Sequence, residues 1–259
     1  MNTYYKIKRA IACKFLKKNV SLNLTKPIIS FSFDDIPDSA VTNGARILNR
    51  YGYKATFYVS LGLQAEDQKD KMYFDHSKLR YLAENGNELA CHTADHIRLY
   101  ESNSKEILAN LKKNQQLVQG LIPGYKFENF SYPSGQQTFR SKLILKKEYT
   151  SARGVNAGMH KKKMDMYNLH ANVLAMHIPL QQIFALIDEA IEHNAWLILY
   201  THEVEENPTK NGCTPEYFES IARYCFNKKV EVLTINKAIN KIVSGKDEEQ
   251  FCVNYKRTA

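Results

Sequence analysis

From Pro27 onward the chain alternates short apolar runs, rich in β-branched and aromatic residues, with longer stretches whose apolar residues recur every three or four positions. The runs at 28–33 (IISFSF), 54–59 (KATFYV), 87–91 (NELAC), 127–132 (FENFSY), 196–200 (WLILY) and 230–233 (VEVL) read as strands, and a weaker run lies at 149–155. Val41, Ala45 and Leu48 predict a helix from Ser39 to Tyr51 that stops at Gly52, and Ile107, Leu111 and Val118 predict another that ends at Gly120. Leu180, Ile183, Phe184, Ile187 and Ile191 give the clearest amphipathic stripe. Thr214 before Pro215 predicts an N-cap with proline in the first turn, opening a helix with Phe218, Ile221 and Cys225 inward. Strands that alternate with helices predict an α/β protein with mainly parallel strands.

Unusual polar residues fall where four of these runs end. Asp34-Asp35 follows IISFSF, His92-Thr93-Ala94-Asp95-His96 follows NELAC, Tyr132-Pro133-Ser134-Gly135 follows FENFS, and His202-Glu203 follows WLILYT. In a β/α barrel the carboxyl ends of the strands share one face, so clusters distant in sequence converge there. That face is the predicted active site.

Composition narrows the picture. At 259 residues and 44% hydrophobic, the chain is expected to form one globular domain over 27–244, flanked by a basic segment at 1–26 and a charged tail at 245–259. Its apolar runs are far shorter than the ~20 residues that cross a bilayer. Cys13, Cys91, Cys213, Cys225 and Cys252 have no paired spacing and are read as free thiols of a reducing compartment. No signal-peptide core can be drawn through the N-terminus, so the expected location is cytoplasmic.

Residues 1–33 carry seven Lys or Arg and no acid, which leaves only +2 of the net +9 for the remainder. The basic signal is local, no nucleic-acid motif accompanies it, and a nucleic-acid partner is not expected. Tyr4, Ile7, Ile11 and Phe15 recur at helical spacing among those lysines. Such a helix either contacts an anionic membrane surface or packs across one end of the barrel.

His92 and His96 are separated by four positions, a spacing that brings two imidazoles onto one side of a helical turn where both can bind one cation. The same pair can arise by chance or serve as a helix cap. Asp35 offers a third ligand, and three protein ligands leave a coordination position open, as catalysis requires. Two histidines and a carboxylate suit zinc, and also cobalt, nickel, manganese or iron. Cys91 points to the opposite face of its strand and is read as core. Adjacent carboxylates at the end of an apolar strand are costly unless a cation neutralises them; the plainer alternative is that Asp38 or Asp35 caps the helix near Ser39.

With these residues in place, the sequence resembles the polysaccharide deacetylase family, which includes nodulation-type chitooligosaccharide deacetylases, peptidoglycan deacetylases and acetylxylan esterases. Ser32-Phe33-Asp34-Asp35-Ile36-Pro37 is similar to its T-F-D-D-G-P motif, and His92-Thr93-Ala94-Asp95-His96 to its H-[ST]-x-x-H motif. The resemblance spans most of 28–240 and implies a distorted or incomplete (β/α) barrel. It implies that Asp34 is the catalytic base and that Asp35, His92 and His96 bind the metal. It further implies a backbone N–H oxyanion donor at Tyr132 and a general acid at His202. Two departures stand out: Ile36 replaces the motif's glycine, and Ser131 stands where an arginine would orient the catalytic aspartate. Arg153 is the candidate substitute, its alternative being a surface residue or an ordinary ion pair. No D-x-x-D-W motif is visible, and His76, His160, His170, His177 and His193 have no supporting spacing.

The resulting expectation is a metal-dependent hydrolase that removes acetyl from an N-acetylated sugar in bacterial surface polysaccharide biosynthesis. An O-acetyl esterase on the same site and a non-catalytic glycan-binding module with this fold are the competing readings.

Overall fold

The computed structural model describes residue 12 and residues 16–63 and 76–245. The stripe of Tyr4, Ile7, Ile11 and Phe15, and the tail beyond Gly245, lie outside the described residues. In chain order the strands are β1 (Asn19–Ser21), β2 (Ile28–Asp34), β3 (Thr56–Val59), β4 (Glu88–Cys91), β5 (Asn129–Ser131), β6 (Ser151–Arg153), β7 (Lys163–Asp165), β8 (Asn172–Val173), β9 (Trp196–Thr201) and β10 (Glu231–Val232). The helices are α1 (Arg46–Arg50), α2 (His76–Glu84), α3 (Ser104–Leu121), α4 (Phe139–Glu148), α5 (Leu180–Glu192), α6 (Pro215–Asn227) and α7 (Ile235–Ser244).

β2 is the axis of the main sheet. It pairs in parallel with β9 from Ile28↔Trp196 to Phe33↔Thr201, and with β3 over Ser32–Asp34, while β10 joins its amino end at Ile28 and Ile29. The strand order is β6-β5-β4-β3-β2-β9-β8, all parallel, and the sheet curls. Between the two edges the chain runs beside β6: Leu169 N–H donates to Ala152 O at 3.0 Å and Gly154 N–H to Leu169 O at 2.9 Å. The result is the distorted (β/α) barrel that the alternation of strands and helices predicts. β1 and β7 form a separate antiparallel ribbon, which ties residues 19–21 to 163–165.

Strand parity sorts the side chains. Phe31 and Phe33 point outward onto Phe218 of α6, with ring centroids 5.6 and 5.5 Å away, and Cys91 points outward to accept from Asn114 of α3 at 3.2 Å. The alternate residues face the interior, which is polar. At its amino end Glu88 accepts from Thr56 Oγ1 (2.8 Å), from Asn129 Nδ2 (2.6 Å) and from the Asn236 N–H (2.8 Å) in the first turn of α7. Such a network is stable only when its members are satisfied, as these are.

Local chemistry sets several boundaries. Thr214 accepts from Tyr217 N–H at 3.2 Å, so the predicted cap forms with Pro215 in the first turn. The predicted helix from Ser39 begins in wider π-type turns over Ala40–Ala45 before α1, and Gly52 (φ +73°) follows it. Gly120 does not end α3, which continues to Leu121. Cys91, Cys213 and Cys225 are free and buried. Among the described residues no helix is long and apolar enough to cross a membrane.

Candidate active site

Asp34, Asp35, His92, His96, Ser131, Arg153 and His202 all lie at the carboxyl ends of parallel strands, or just beyond them, and most of their side chains converge on one spot. Asp34 ends β2 and is buried. Asp35 then takes φ +60° and Ile36 φ +45°, and the Ile36 N–H closes back onto Asp34 O at 2.7 Å. This tight left-handed turn carries the Asp35 carboxylate towards the histidines. Ile36 is a β-branched residue in a conformation that disfavours one, and it is fully buried. Neither Asp35 nor Asp38 is the N-cap of the following helix: the capping position is Ser39, and Asp38 pairs with Lys78.

His92 and His96 do not lie on a helix. The chain leaves β4 and turns through left-handed Thr93 (φ +63°) and His96 (φ +48°). Asn110 Oδ1 anchors this loop by accepting the Ala94 and Asp95 N–H groups at 2.7 and 3.1 Å. The four-residue spacing therefore converges through a held loop, not through helical stacking.

His92 Nδ1 lies 2.8 Å from Ser131 O; a carbonyl can only accept, so Nδ1 carries the proton and Nε2 keeps its lone pair. Burial pushes His92 down to about 4, against the opposing pull of Asp34 and Asp35, which keeps the ring neutral at neutral pH. His92 Nε2 is 3.5 Å and His96 Nε2 3.4 Å from Asp35 Oδ1. That oxygen is buried and has no hydrogen-bond partner among the described residues. The three donor atoms lie within 4.8 Å of one another. An orphaned carboxylate oxygen facing two imidazole nitrogens fits a divalent metal. His202 Nε2 stands 3.8 Å from Asp35 Oδ2, on the half-open side of the cluster.

Arg153 is neither on the surface nor in an ordinary exposed ion pair. Its side chain is fully buried, and its Nη2 donates to both oxygens of Asp34, at 2.5 Å to Oδ2, and to Ser131 Oγ at 2.5 Å. Ser131 and Arg153 are register partners on β5 and β6, so the small residue leaves room for the arginine of the next strand. Burial opposes ionisation of Asp34, but Arg153, His92 and His202 together outweigh it and hold the carboxyl below its usual range. Tyr58 and Tyr200, which sequence reasoning leaves without a role, flank the guanidinium with ring centroids 4.8 and 4.7 Å from Cζ. Their signal is strand parity alone, which puts them on the Asp34 face of β3 and β9.

Tyr132 is a correction. Its N–H donates to Arg153 O at 3.0 Å, extending the β5–β6 ladder by one residue, so that N–H is not available to an oxyanion. Its side chain is buried, and its hydroxyl donates to Tyr167 O at 3.1 Å.

A family model described as polysaccharide deacetylase matches residues 21–151, just over half of the chain and the part that contains Asp34, Asp35, His92 and His96. The chain belongs to the polysaccharide deacetylase family. Comparison with curated proteins finds no match. Among solved structures, this deacetylase-family chain is similar to the Xyl-CE4 domain of a multidomain xylanase from the hindgut metagenome of Trinervitermes trinervoides, at 18% identity and TM-score 0.60, covering 90% of this chain and 96% of that one. It is similar to the peptidoglycan deacetylase PdaC from Bacillus subtilis, at 17% identity and TM-score 0.55, covering 85% and 93%. The chitin deacetylase from Colletotrichum lindemuthianum follows at 14% identity and TM-score 0.59, covering 83% and 89%. At such identities the likeness is one of fold, and the chemistry must be argued from this family member's own residues.

The other histidines stay outside the cluster. His160 is buried and accepts the His170 N–H at 3.1 Å, while His177 and His193 are exposed.

Proposed function

We propose that the protein is a metal-dependent deacetylase of N-acetylated sugars, acting at the inner face of the cytoplasmic membrane in assembly of a bacterial surface polysaccharide. The observation that carries the chemistry is the unpartnered Asp35 Oδ1 between His92 and His96, beside a buried carboxylate that is already paired with Arg153. A metal alone would need only the first set. A second carboxylate, kept ionised and off the metal ligands' shared contact, is what a hydrolase needs and a binding module does not.

Asp35, His92 and His96 would hold a divalent cation, zinc by donor chemistry, which would supply polarisation of an acetyl carbonyl and an acidified water. Asp34, held ionised beside this cluster, would accept the proton of the attacking water. Arg153 holds the carboxylate ionised and oriented. His202, on the open side of the cluster, delivers a proton to the departing nitrogen, without which an amine leaves poorly.

The test is acetate release by zinc-loaded protein from a panel of N-acetyl and O-acetyl sugars that includes short N-acetylglucosamine oligomers, the kind of chain that nodulation-type members act on. Asp34→Asn should lower kcat by about 10²–10⁴-fold while zinc binding persists. Release only from ester substrates would make the protein an esterase. Absence of release with zinc verifiably bound would favour a glycan-binding role, and failure of His92→Ala/His96→Ala to abolish zinc binding would remove the site from consideration.

A further inference from the structure

Arg153 reaches Asp34 from an unexpected direction. β6 and β2 are separated in the sheet by β5, β4 and β3, so the side chain must cross the barrel interior to make its pair. Tyr58 is the register partner of Asp34 on one side of β2, and Tyr200 is the partner of Ser32 on the other. Their rings stand over the guanidinium at 4.8 and 4.7 Å. Its two terminal nitrogens are held by acceptors: Nη1 donates to Gly154 O at 3.0 Å, and Nη2 to Asp34 and Ser131, while Nε is buried without a partner among the described residues.

We propose that Tyr58 and Tyr200 are positioning residues for the reaction, gripping the Arg153 guanidinium between their faces and so fixing the orientation of the Asp34 carboxylate. The inference rests on the deacetylase reading above and adds to it two residues that act through Arg153. A cation with no exposed surface has lost its hydration, and the negative faces of two aromatic rings replace part of it. Only a planar cation can be sandwiched in this way, which explains an arginine where a lysine would supply the same charge. Without the rings the guanidinium can rotate about its long side chain, and the carboxylate that it holds rotates with it.

Both rings also approach histidines of the site, Tyr58 at 6.4 Å from the His92 ring and Tyr200 at 6.3 Å from that of His202. The experiment must separate these routes. Tyr58→Leu and Tyr200→Leu remove the aromatic face, and Tyr58→Phe and Tyr200→Phe keep it. In zinc-loaded full-length protein each leucine variant should lose about 10–30-fold in kcat, as expected for one desolvated cation–π contact, with KM changed little. Zinc affinity, read by chelator competition, should be retained, and the phenylalanine variants should recover most of the rate.

Loss of zinc affinity in the leucine variants, an effect confined to KM, or phenylalanine variants as impaired as leucine ones would overturn the proposal. A second measurement needs no turnover. In a double-mutant cycle of Tyr58→Leu with Arg153→Lys, followed by urea unfolding, the midpoint shifts should be clearly non-additive; additive shifts would show that ring and guanidinium are uncoupled. A wild-type protein that releases no acetate while this coupling persists would refute the deacetylase reading and leave the clamp standing.

Discussion

Ile36 occupies a left-handed backbone and a fully buried pocket at once, and the two demands conflict. Left-handed φ costs an L-residue roughly 1–2 kcal/mol, whereas truncating a buried isoleucine to alanine costs about 2–5 kcal/mol. Burial wins, so both Ile36→Gly and Ile36→Ala should destabilise the protein. The order is informative: glycine escapes the backbone strain and alanine does not, so Ile36→Gly should unfold at higher temperature than Ile36→Ala, the reverse of the usual ranking. An alanine variant that melts higher would argue against the left-handed turn. At Arg153 the conflict is electrostatic. Arg153→Met leaves the Asp34 carboxylate buried without its partner, a change of about 3–5 kcal/mol, and Asp34→Asn in the same chain should recover much of that stability in urea titration.

At the scale of elements, the joint between the β1–β7 ribbon and the barrel passes through His160, whose backbone exchanges hydrogen bonds with Trp196 at the start of β9. Its Nε2 accepts a backbone N–H and is therefore unprotonated, and burial, with His170 alongside, pushes the ring down to about 3. An unfolded histidine titrates near 6.5. Above that pH both states are neutral and the contribution is complete; as pH falls from 6.5 towards 3 the unfolded chain takes up a proton that the folded chain refuses, and stability is lost. By pH 5 this amounts to about 2 kcal/mol. His160→Gln should flatten the stability profile between pH 7 and 5 by that amount, and an unchanged slope would reject the assignment. Legibility in the sequence also divides by element. β2, β4 and β9 announce themselves because an apolar run ends in residues whose charge or imidazole has no place in a core. β1 and β8 are two or three residues long and carry no period to read. α4 hides because its buried face includes Ser141 and Lys142, the latter paired with Asp165 of β7. α7 has a full stripe of Ile235, Ala238, Ile239 and Ile242 that the same rule recovers. Metal-ligand candidates follow from residue type and spacing, but the Arg153 pairing and the commitment of the Tyr132 N–H depend on strand order and register, which spacing does not encode.

For the whole molecule, exposed lysines gather into a lysine-rich end around the start of β2 and the β1–β7 ribbon. Lys26 lies just before β2 begins, and the Lys162 carbonyl accepts from Leu22 N–H two residues after His160 meets the start of β9. Lys26 is exposed at the amino end of β2, whose carboxyl end leads into Asp35, and Lys17, Lys18, Lys162 and Lys163 are exposed on or beside the β1–β7 ribbon. The sequence adds Lys6, Lys8, Arg9 and Lys14 to the same terminal segment. The membrane contact proposed above would use this cationic end. β2 spans seven residues, roughly 20 Å, so the site would stand about that far from the lipid headgroups and face away from them. Since an exposed lysine near an anionic surface contributes about 1 kcal/mol, Lys17→Glu/Lys18→Glu/Lys162→Glu/Lys163→Glu should lose at least 100-fold in affinity for vesicles containing phosphatidylglycerol. Vesicles of phosphatidylcholine alone should bind neither form. Removing residues 1–26 instead would be a poor control, because it deletes β1 and the Ala12 carbonyl that accepts from Lys142. Acetate release from a soluble substrate should be the same in wild type and quadruple variant; equal vesicle binding by the two would dissociate the cationic end from the membrane, and preferential capture of RNA over anionic lipid would assign it a different partner.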